Sequence, residues 1–290
     1  MTAERRGVLA IASAALLWSG GGVGIRAVAA PPLAIACWRS AFAAAVLLLF
    51  FRPGRPRRDL AFVVAVVGYA ACLTTFVTAT KWTTAANAIF LQYSGVVWVA
   101  VLAPVVLGER FEVRDALAVA VALAGVALFF VGHYGGWGRA GDAMALLSGL
   151  FYAVIVLSLR REPGAAAEAA VTWGNVLTAV VLLPAAVQAG FPSANALAIL
   201  AALGTLQIGL AYALFVHGVA LVPATRASLV TMLEPIANPV WVFLALGEAP
   251  TGFALLGGAI VLGAIAWRTL EGGAERPETH VSGRERECER

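Results

Sequence analysis

The sequence predicts an all-α polytopic membrane protein with ten transmembrane helices, arranged as two inverted five-helix repeats. Three observations predict this fold: an apolar composition, ten long apolar segments, and arginine clusters between alternate segments. Hydrophobic residues make up 61% and charged residues 12% of the 290 positions, and the mean hydropathy is +0.88. Soluble domains average roughly 45–50% apolar and 25% charged residues, so a soluble fold is excluded.

A membrane-spanning helix needs about 20 apolar residues, because roughly 30 Å of hydrocarbon is crossed at about 1.5 Å per residue. The ten segments that satisfy this condition are 7–29, 33–51, 60–80, 84–107, 115–132, 142–159, 169–189, 196–217, 224–246 and 252–270. Residues 271–290 are polar and rich in Glu and Arg, which predicts a disordered cytoplasmic tail.

Basic residues mark alternate loops of the predicted bundle. The clusters that follow the second, fourth and sixth segments are Arg52 to Arg58, Arg110 with Arg114, and Arg160 with Arg161. On the other side, the loops between segments carry only Lys81 and Arg139. Lys and Arg accumulate in cytoplasmic loops, so both termini are predicted to lie in the cytoplasm, with the protein in the inner (plasma) membrane. These short clusters form no continuous basic stripe, which argues against a nucleic-acid partner.

The chain contains a weak internal repeat. A shift of 139 residues aligns 87–109 with 226–248 without a gap, and both stretches end in Leu-Gly-Glu. A shift of 134 residues aligns 7–26 with 141–160 and places Trp18 on Tyr152. Because five helices per repeat is an odd number, the second copy enters the membrane in the opposite sense. The predicted units are therefore a first repeat at 1–135, a second, inverted repeat at 136–270, and the tail.

Several short motifs carry a family resemblance. They are Leu-Trp-Ser at 17–19, Cys-Trp-Arg at 37–39, Leu-Gly-Glu at 107–109 and 246–248, and Leu-Glu-Pro at 233–235. On these motifs the chain resembles the EamA-type drug/metabolite transporters over about residues 7–270. The resemblance implies ten helices in two inverted halves, a central cavity, and export of small metabolites such as amino acids. Many relatives carry a proline near Tyr93, so the fourth helix is expected to be less broken than the ninth.

Polar side chains inside apolar segments are the candidate binding residues, because lipid offers them no hydrogen bonds. Glu234 and Asn238 share one face of the ninth segment, next to Pro235 and Pro239, which remove backbone bonds. A structural role for Glu234, bonding the freed backbone, is an equal alternative. Arg39 is expected to bind a substrate carboxylate through its planar guanidinium, or to lie near the outer interface without that role.

The other candidate substrate-binding residues are aromatic, amide or hydroxyl side chains within spans. They are Trp18, Ser19, Gln92, Tyr93, Tyr152, Trp173, Gln207 and Tyr212. Each on its own is more typical of helix packing or of the membrane interface. Trp18 and Tyr152 gain support from the repeat, which equates them. Gln92 and Gln207 are amides in mid-segment, so both need polar partners or cavity water.

The motifs of ATP, zinc or metalloprotease chemistry are missing from the sequence, which predicts no enzyme activity, no cofactor and no metal site. A lipid-modifying enzyme would need a His or carboxylate cluster near an interface, and a receptor or assembly protein would be expected to have a long extramembrane domain. The sequence instead predicts a secondary transporter that works by alternating access. The family resemblance implies that it exports small polar metabolites, above all amino acids, aromatic ones included. The alternative is export of purines, other metabolites or toxic compounds by proton antiport. The expected partners are a small-molecule substrate and the lipid bilayer, with the chain as a monomer or a homodimer.

Glu234 leaves two coupling mechanisms open. Burial alone disfavours its ionised form and makes it a candidate proton carrier, whereas a cation within a few ångströms keeps it ionised. The sequence favours a structural or substrate-contacting Glu234 with downhill transport, and proton antiport remains the alternative.

Overall fold

The structure is a computed structural model that describes residues 2–83, 85–110, 112–129, 139–237, 241 and 252–272. Every regular element in these ranges is helical. The helices are α1 (Ala3–Trp18), α2 (Gly21–Ala27), α3 (Pro32–Phe51), α4 (Leu60–Trp82), α5 (Ala85–Gln92), α6 (Ser94–Leu107), α7 (Val113–Phe129), α8 (Arg139–Arg161), α9 (Ala165–Gln188), α10 (Ala194–Ala202), α11 (Ala211–Val219), α12 (Ala224–Thr231), α13 (described over 233–237) and α14 (Gly252–Gly272). A π-helical segment, Leu203–Leu210, joins α10 to α11.

Seven helical runs in the described part of the chain are long and apolar enough to cross a membrane. They are Ala3–Ala27, Pro32–Phe51, Leu60–Trp82, Asn87–Leu107, Ala140–Arg161, Ala165–Gln188 and Ala194–Val219. The chain is therefore a multi-pass membrane protein, as its composition predicts. Helices α7, α12 and α14 overlap the other three expected segments. The total of ten crossings and the inversion of the second repeat stay predictions.

Helix ends are set by local capping. The Asp59 side chain accepts a hydrogen bond from Phe62 N at 3.0 Å and begins α4, which satisfies one of the amides that the first turn leaves without a partner. Pro32 occupies the first turn of α3, where its missing N–H costs nothing. Gly108 ends α6 with a φ of 68°, a left-handed conformation that glycine adopts without strain.

Small residues allow the close helix crossing that builds the centre of the bundle. Helices α6 and α8 meet at Gly95 and Gly149, where a Cβ on Gly95 would lie 2.5 Å from Gly149 O. In lipid, where apolar burial does not drive association, such close packing is what holds helices together. The crossing brings Tyr93, at the start of α6, beside Tyr152 on α8.

Several helices are interrupted within their predicted spans. The first is broken at Ser19 and Gly20, between α1 and α2, and the eighth contains the π-helical segment. The fourth is broken at Tyr93, and the ninth at Met232, the position that the 139-residue shift equates with Tyr93. The fourth helix therefore breaks at the matching position without a proline. The expectation that it is the less broken of the two stays a prediction, because much of the ninth segment lies outside the described residues. At both positions the helical turn tightens. Tyr93 N donates to Phe90 O, and Met232 N donates to Leu229 O, each three residues earlier in the chain.

Candidate functional site

A cavity lies where the interrupted helices meet. It has about 50 Å³ of space open to the centres of water molecules, and one water needs roughly 10–15 Å³ counted in this way. The lining side chains are Trp18, Arg39, Cys72, Leu73, Phe76, Gln92, Tyr93, Tyr152, Gln207, Ile208, Tyr212, Thr231 and Glu234. Both predicted repeats contribute to this set, so the cavity is built between them.

Arg39 supplies the positive charge of the cavity. It lies on α3 with 2% of its surface exposed, and its Nη2 donates to Gln207 Oε1 at 2.5 Å. Its Nε is buried and has no hydrogen-bond partner among the described residues. A buried donor without a partner is costly. An anionic group that enters the cavity would gain a charge-assisted hydrogen bond at this position.

Glu234 supplies the carboxyl group of the cavity. The Tyr93 hydroxyl lies 3.2 Å from Glu234 Oε2 and 3.0 Å from Thr231 O, so one hydroxyl hydrogen is shared between two acceptors. The Tyr152 hydroxyl lies 2.8 Å from the Thr231 hydroxyl. Because Tyr93 belongs to the first predicted repeat and Glu234 to the second, this hydroxyl and carboxylate cluster also joins the repeats.

Aromatic rings form much of the cavity wall. The rings of Trp18 and Tyr212 are 4.9 Å apart and tilted, and those of Tyr69 and Tyr212 are 4.7 Å apart in an edge contact. Asn175 Nδ2 donates to the Tyr69 hydroxyl at 2.9 Å, which holds the Tyr69 ring against Tyr212. Such faces suit an apolar or cationic part of a ligand.

The structure brings together eight of the eleven predicted binding residues. These eight, which all line the cavity, are Trp18, Arg39, Gln92, Tyr93, Tyr152, Gln207, Tyr212 and Glu234. Ser19 is buried next to the cavity, where its hydroxyl donates to Leu16 O and accepts from Trp241 Nε1, each at 2.6 Å. Trp173 lies apart from the cavity and donates to Gly54 O in the loop after α3 at 3.1 Å. Asn238 lies outside the described residues.

Five lining residues were not expected from the sequence: Cys72, Leu73, Phe76, Ile208 and Thr231. Four of them are apolar or weakly polar and give no signal against an apolar segment. Thr231 did carry a signal, because the 139-residue shift that aligns the repeats places it on Gln92. The repeat therefore equates two side chains of one cavity.

A second polar cluster joins the repeats away from the cavity, and we call it the Glu109–Arg160 cluster. Arg160 Nε donates to Glu109 Oε1 at 2.9 Å, and Arg160 Nη1 donates to the carbonyls of Val219 at 3.3 Å and Ala220 at 2.7 Å, near the end of α11. Glu109 Oε2 accepts from Ala224 N at 2.9 Å at the start of α12. One ion pair thus satisfies the backbone at two helix ends.

Metal ligation has little support in the described ranges, where no group of three His, Cys, Asp or Glu side chains is close enough to hold an ion.

Comparison with known proteins identifies relatives along almost the whole chain. A model of the EamA-like transporter family matches it twice, over residues 5–131 and 139–269. An uncharacterized transporter from Archaeoglobus fulgidus is 30% identical over 269 residues, which cover 91% of this chain and 97% of the relative. A crystal structure with 19% sequence identity shares the fold, with a TM-score of 0.80 over 91% of this chain and 97% of that one.

Proposed function

The chain belongs to the EamA-like transporter family, and from this premise we propose that it is a secondary transporter that exports small zwitterionic metabolites, above all amino acids, by alternating access. Its general role as a membrane transporter follows from the family. The substrate class, the direction and the mechanism are the proposal. The observation that carries it is a buried guanidinium and a carboxylate lining one aromatic cavity.

A zwitterion complements these two charges. The planar guanidinium of Arg39 suits a substrate carboxylate, because it presents donors in a fixed fork. The Glu234 carboxylate and the Tyr93 hydroxyl suit an ammonium group, which has three donors. The ring faces of Trp18 and Tyr212 suit an apolar side chain, which favours aromatic amino acids.

Cavity size supports alternating access. About 50 Å³ of space holds water molecules but not an amino acid, so a substrate enters only when the surrounding helices move apart. Secondary transporters commonly form their binding site from interrupted helices, and one repeat then moves against the other around that site. The breaks at Ser19, Tyr93 and Met232 all lie beside the cavity residues.

The topology is part of the proposal. Ten crossings with both termini in the cytoplasm of an inner-membrane protein agree with the arginine clusters at 52–58, 110–114 and 160–161. The two family matches fall within the expected repeats, 1–135 and 136–270. An odd number of helices in each repeat would place them in opposite senses.

Downhill transport with a substrate-contacting Glu234 is the proposed mode. The contact of Glu234 with Tyr93 supports it, since a carboxylate held beside the cavity is placed to receive an ammonium group. Proton antiport is the alternative. Glu234 is the one carboxyl group among the lining residues, and a carboxyl group can bind and release a proton. Export of purines or toxic compounds is the alternative for the substrate, and the aromatic wall suits it.

Counterflow in proteoliposomes tests the substrate class. The vesicles are loaded with unlabelled L-phenylalanine, and uptake of the labelled amino acid is competed with phenethylamine, which lacks the carboxylate, and phenylpropionate, which lacks the ammonium group. We expect phenylalanine to compete best. The variant Arg39→Met should remove the advantage of phenylalanine over the amine, and Arg55→Met, in the exposed loop after α3, should preserve it. Uptake no greater than in empty liposomes across a panel of amino acids would refute the proposal.

A further inference from the structure

Gln207 connects the charged site to the break in the first helix. Its Oε1 accepts from Arg39 Nη2 at 2.5 Å, and its Nε2 donates to Trp18 O at 3.3 Å. Both bonds are buried, and Gln207 itself is 8% exposed. One amide group therefore contacts the cation of the cavity at one end and the last carbonyl of α1 at the other.

Trp18 O lies where the helical hydrogen-bond ladder is interrupted. The backbone bonds on either side of the break run from Ser19 N to Ala15 O at 3.0 Å and from Gly24 N to Gly20 O at 3.1 Å. Between them, Trp18 O accepts the side-chain amide of Gln207. A carbonyl without a partner is costly in lipid, so this amide stabilises the broken conformation.

Two backbone features, one at the start of α2 and one around Gln207, accommodate this amide. Gly21 opens α2, and a Cβ at this position would lie 2.6 Å from Gln207 Nε2, so a larger residue would collide with the amide. Gln207 itself lies on the π-helical segment Leu203–Leu210. π-Helical turns are rare in proteins, and those that occur are often found at functional sites.

We propose that Gln207 is a positioning residue that couples occupation of Arg39 to movement of the broken first helix. The proposal rests on the proposed function, because it requires a substrate carboxylate at Arg39. A carboxylate binds a guanidinium through two parallel hydrogen bonds and is a stronger acceptor than an amide oxygen. One of its oxygens therefore bonds the unpartnered Nε of Arg39, and the other replaces Gln207 Oε1 on Nη2. The released amide no longer holds Trp18 O in the same geometry, and the α1–α2 break is free to change its angle.

Through this coupling, the substrate favours the conformation with the released break over the one in which Gln207 holds Trp18 O. A ligand shifts a conformational equilibrium only as far as it binds one state better than the other. Without Gln207, a carboxylate on Arg39 would bind but would not act on the break. Ser19 also receives Trp241 Nε1 at 2.6 Å, so the break would keep one side-chain contact from the second repeat.

Substitutions of Gln207 separate binding from movement of the break. The full-length protein in nanodiscs is titrated with labelled L-phenylalanine to obtain Kd, and hydrogen exchange of the backbone is followed with and without this amino acid. In Gln207→Met, Arg39 loses its competing acceptor, so we expect Kd to fall about threefold or more. The break is then released even without substrate, so L-phenylalanine should no longer speed hydrogen exchange of the backbone amides at residues 19–24, as it should in the wild type. In Gln207→Glu, a carboxylate occupies Arg39 permanently, and Kd should rise about tenfold or more.

Controls distinguish coupling from a purely structural role. Gln188→Met, on the exposed end of α9, makes the same chemical change outside the cavity and should match the wild type. If Gln207→Met weakens binding or leaves it unchanged, or if L-phenylalanine still speeds hydrogen exchange at residues 19–24 in this variant, the coupling role is wrong. An unchanged Kd in Gln207→Glu would also contradict it.

A readout without ligand keeps this proposal distinct from the substrate assignment. Hydrogen exchange of the backbone amides at residues 19–24 should be faster in Gln207→Met than in the wild type, because the break has lost a hydrogen bond. If the wild type binds none of the amino acids, the proposed function fails, but this measurement still tests whether Gln207 holds the break in the first helix. Equal exchange in the two proteins would overturn the link itself.

Discussion

Arg160 and Glu109 form an ion pair, Nε to Oε1 at 2.9 Å, that joins the two family-matched halves of the chain. The side chains are 25% and 19% exposed, so water screens the pair only in part. Arg160 also bonds two carbonyls near the end of α11. If the arginine clusters face the cytoplasm as proposed, this contact closes the cytoplasmic end of the interface between the halves.

Removing Arg160 should destabilise the protein. Arg160→Met leaves Glu109 Oε1 and the carbonyls of Val219 and Ala220 without this donor, and we expect a loss of about 2 kcal/mol in the free energy of unfolding. Denaturant unfolding in detergent micelles measures it. Arg161→Met is the matched control, because Arg161 is the adjacent, exposed arginine on the same helix end. Equal losses for the two variants would mean that the cluster contributes no specific stability.

The crossing of α6 and α8 gives a prediction about packing. In Gly95→Ala the new Cβ would lie 2.5 Å from Gly149 O and 2.8 Å from Tyr152 Cδ1, so the helices must separate. We expect a loss of about 1–3 kcal/mol, the usual range for overpacking, together with weaker substrate binding because Tyr152 is displaced. Gly54→Ala is the control, because a Cβ there would meet nothing within 4 Å. A Gly95→Ala protein with wild-type melting and binding would show that the crossing tolerates expansion.

The sequence identifies polar residues at membrane depth better than it identifies the direction in which they point. Lipid penalises an unpaired polar group wherever it occurs, and so Arg39, Gln207 and Glu234 stand out from their apolar surroundings. Orientation depends on the rotation of each helix, which a nearly uniform apolar segment does not reveal. Trp18 and Trp173 look equivalent in the sequence, yet only Trp18 lines the cavity.

Pairing between distant residues is likewise invisible in the sequence. The clusters that contain Glu109 and Arg160 read as two separate cytoplasmic loops, and only the fold shows that they meet. Ser19 is a similar case, because its hydroxyl accepts from the indole of the distant Trp241. Repeat symmetry is the exception, since it relates Gln92 to Thr231 before any coordinates are known.

Trp173 should be dispensable for substrate binding. Its indole donates to Gly54 O, on the loop that follows α3, and it is not among the cavity residues. Trp173→Phe should therefore leave the Kd of L-phenylalanine unchanged, whereas Trp18→Leu should raise it several-fold through loss of the ring contact with Tyr212. Binding titrations of both variants in nanodiscs test this contrast. A larger effect from Trp173→Phe than from Trp18→Leu would place the binding site elsewhere.

The loop before α4 should respond to acid. A hydrogen bond from Phe62 N, and then one from Arg57, lower the pKa of Asp59 below its ordinary value of 3.8. A lowered pKa in the folded state means that the stabilisation is present above the ordinary pKa and is lost as the pH falls through the lowered value. Asp59→Asn keeps a capping side chain without the charge, so the advantage of the wild type in melting temperature should shrink in strong acid. A constant difference from about pH 7 to about pH 3 would contradict this assignment.

The final prediction concerns energy coupling, because a carrier without ATP chemistry runs downhill or uses an ion gradient. Glu234 lies beside the Tyr93 hydroxyl, in the cavity that Arg39 also lines. If it receives the substrate ammonium group, Glu234→Gln removes a charge that substrate binding needs. Exchange at zero pH gradient should then fall about tenfold or more. An imposed pH gradient should drive no accumulation, even in the wild type.

The measurement compares wild type, Glu234→Gln and Glu168→Gln in proteoliposomes. Glu168 lies in the first turn of α9 and does not line the cavity, so its amide variant controls for the loss of a carboxylate. Proton antiport predicts the opposite pattern. The wild type would concentrate substrate under a pH gradient, and Glu234→Gln would keep exchange while losing that accumulation. Such a result would make Glu234 the proton carrier, because an amide can still contact the substrate but cannot release a proton.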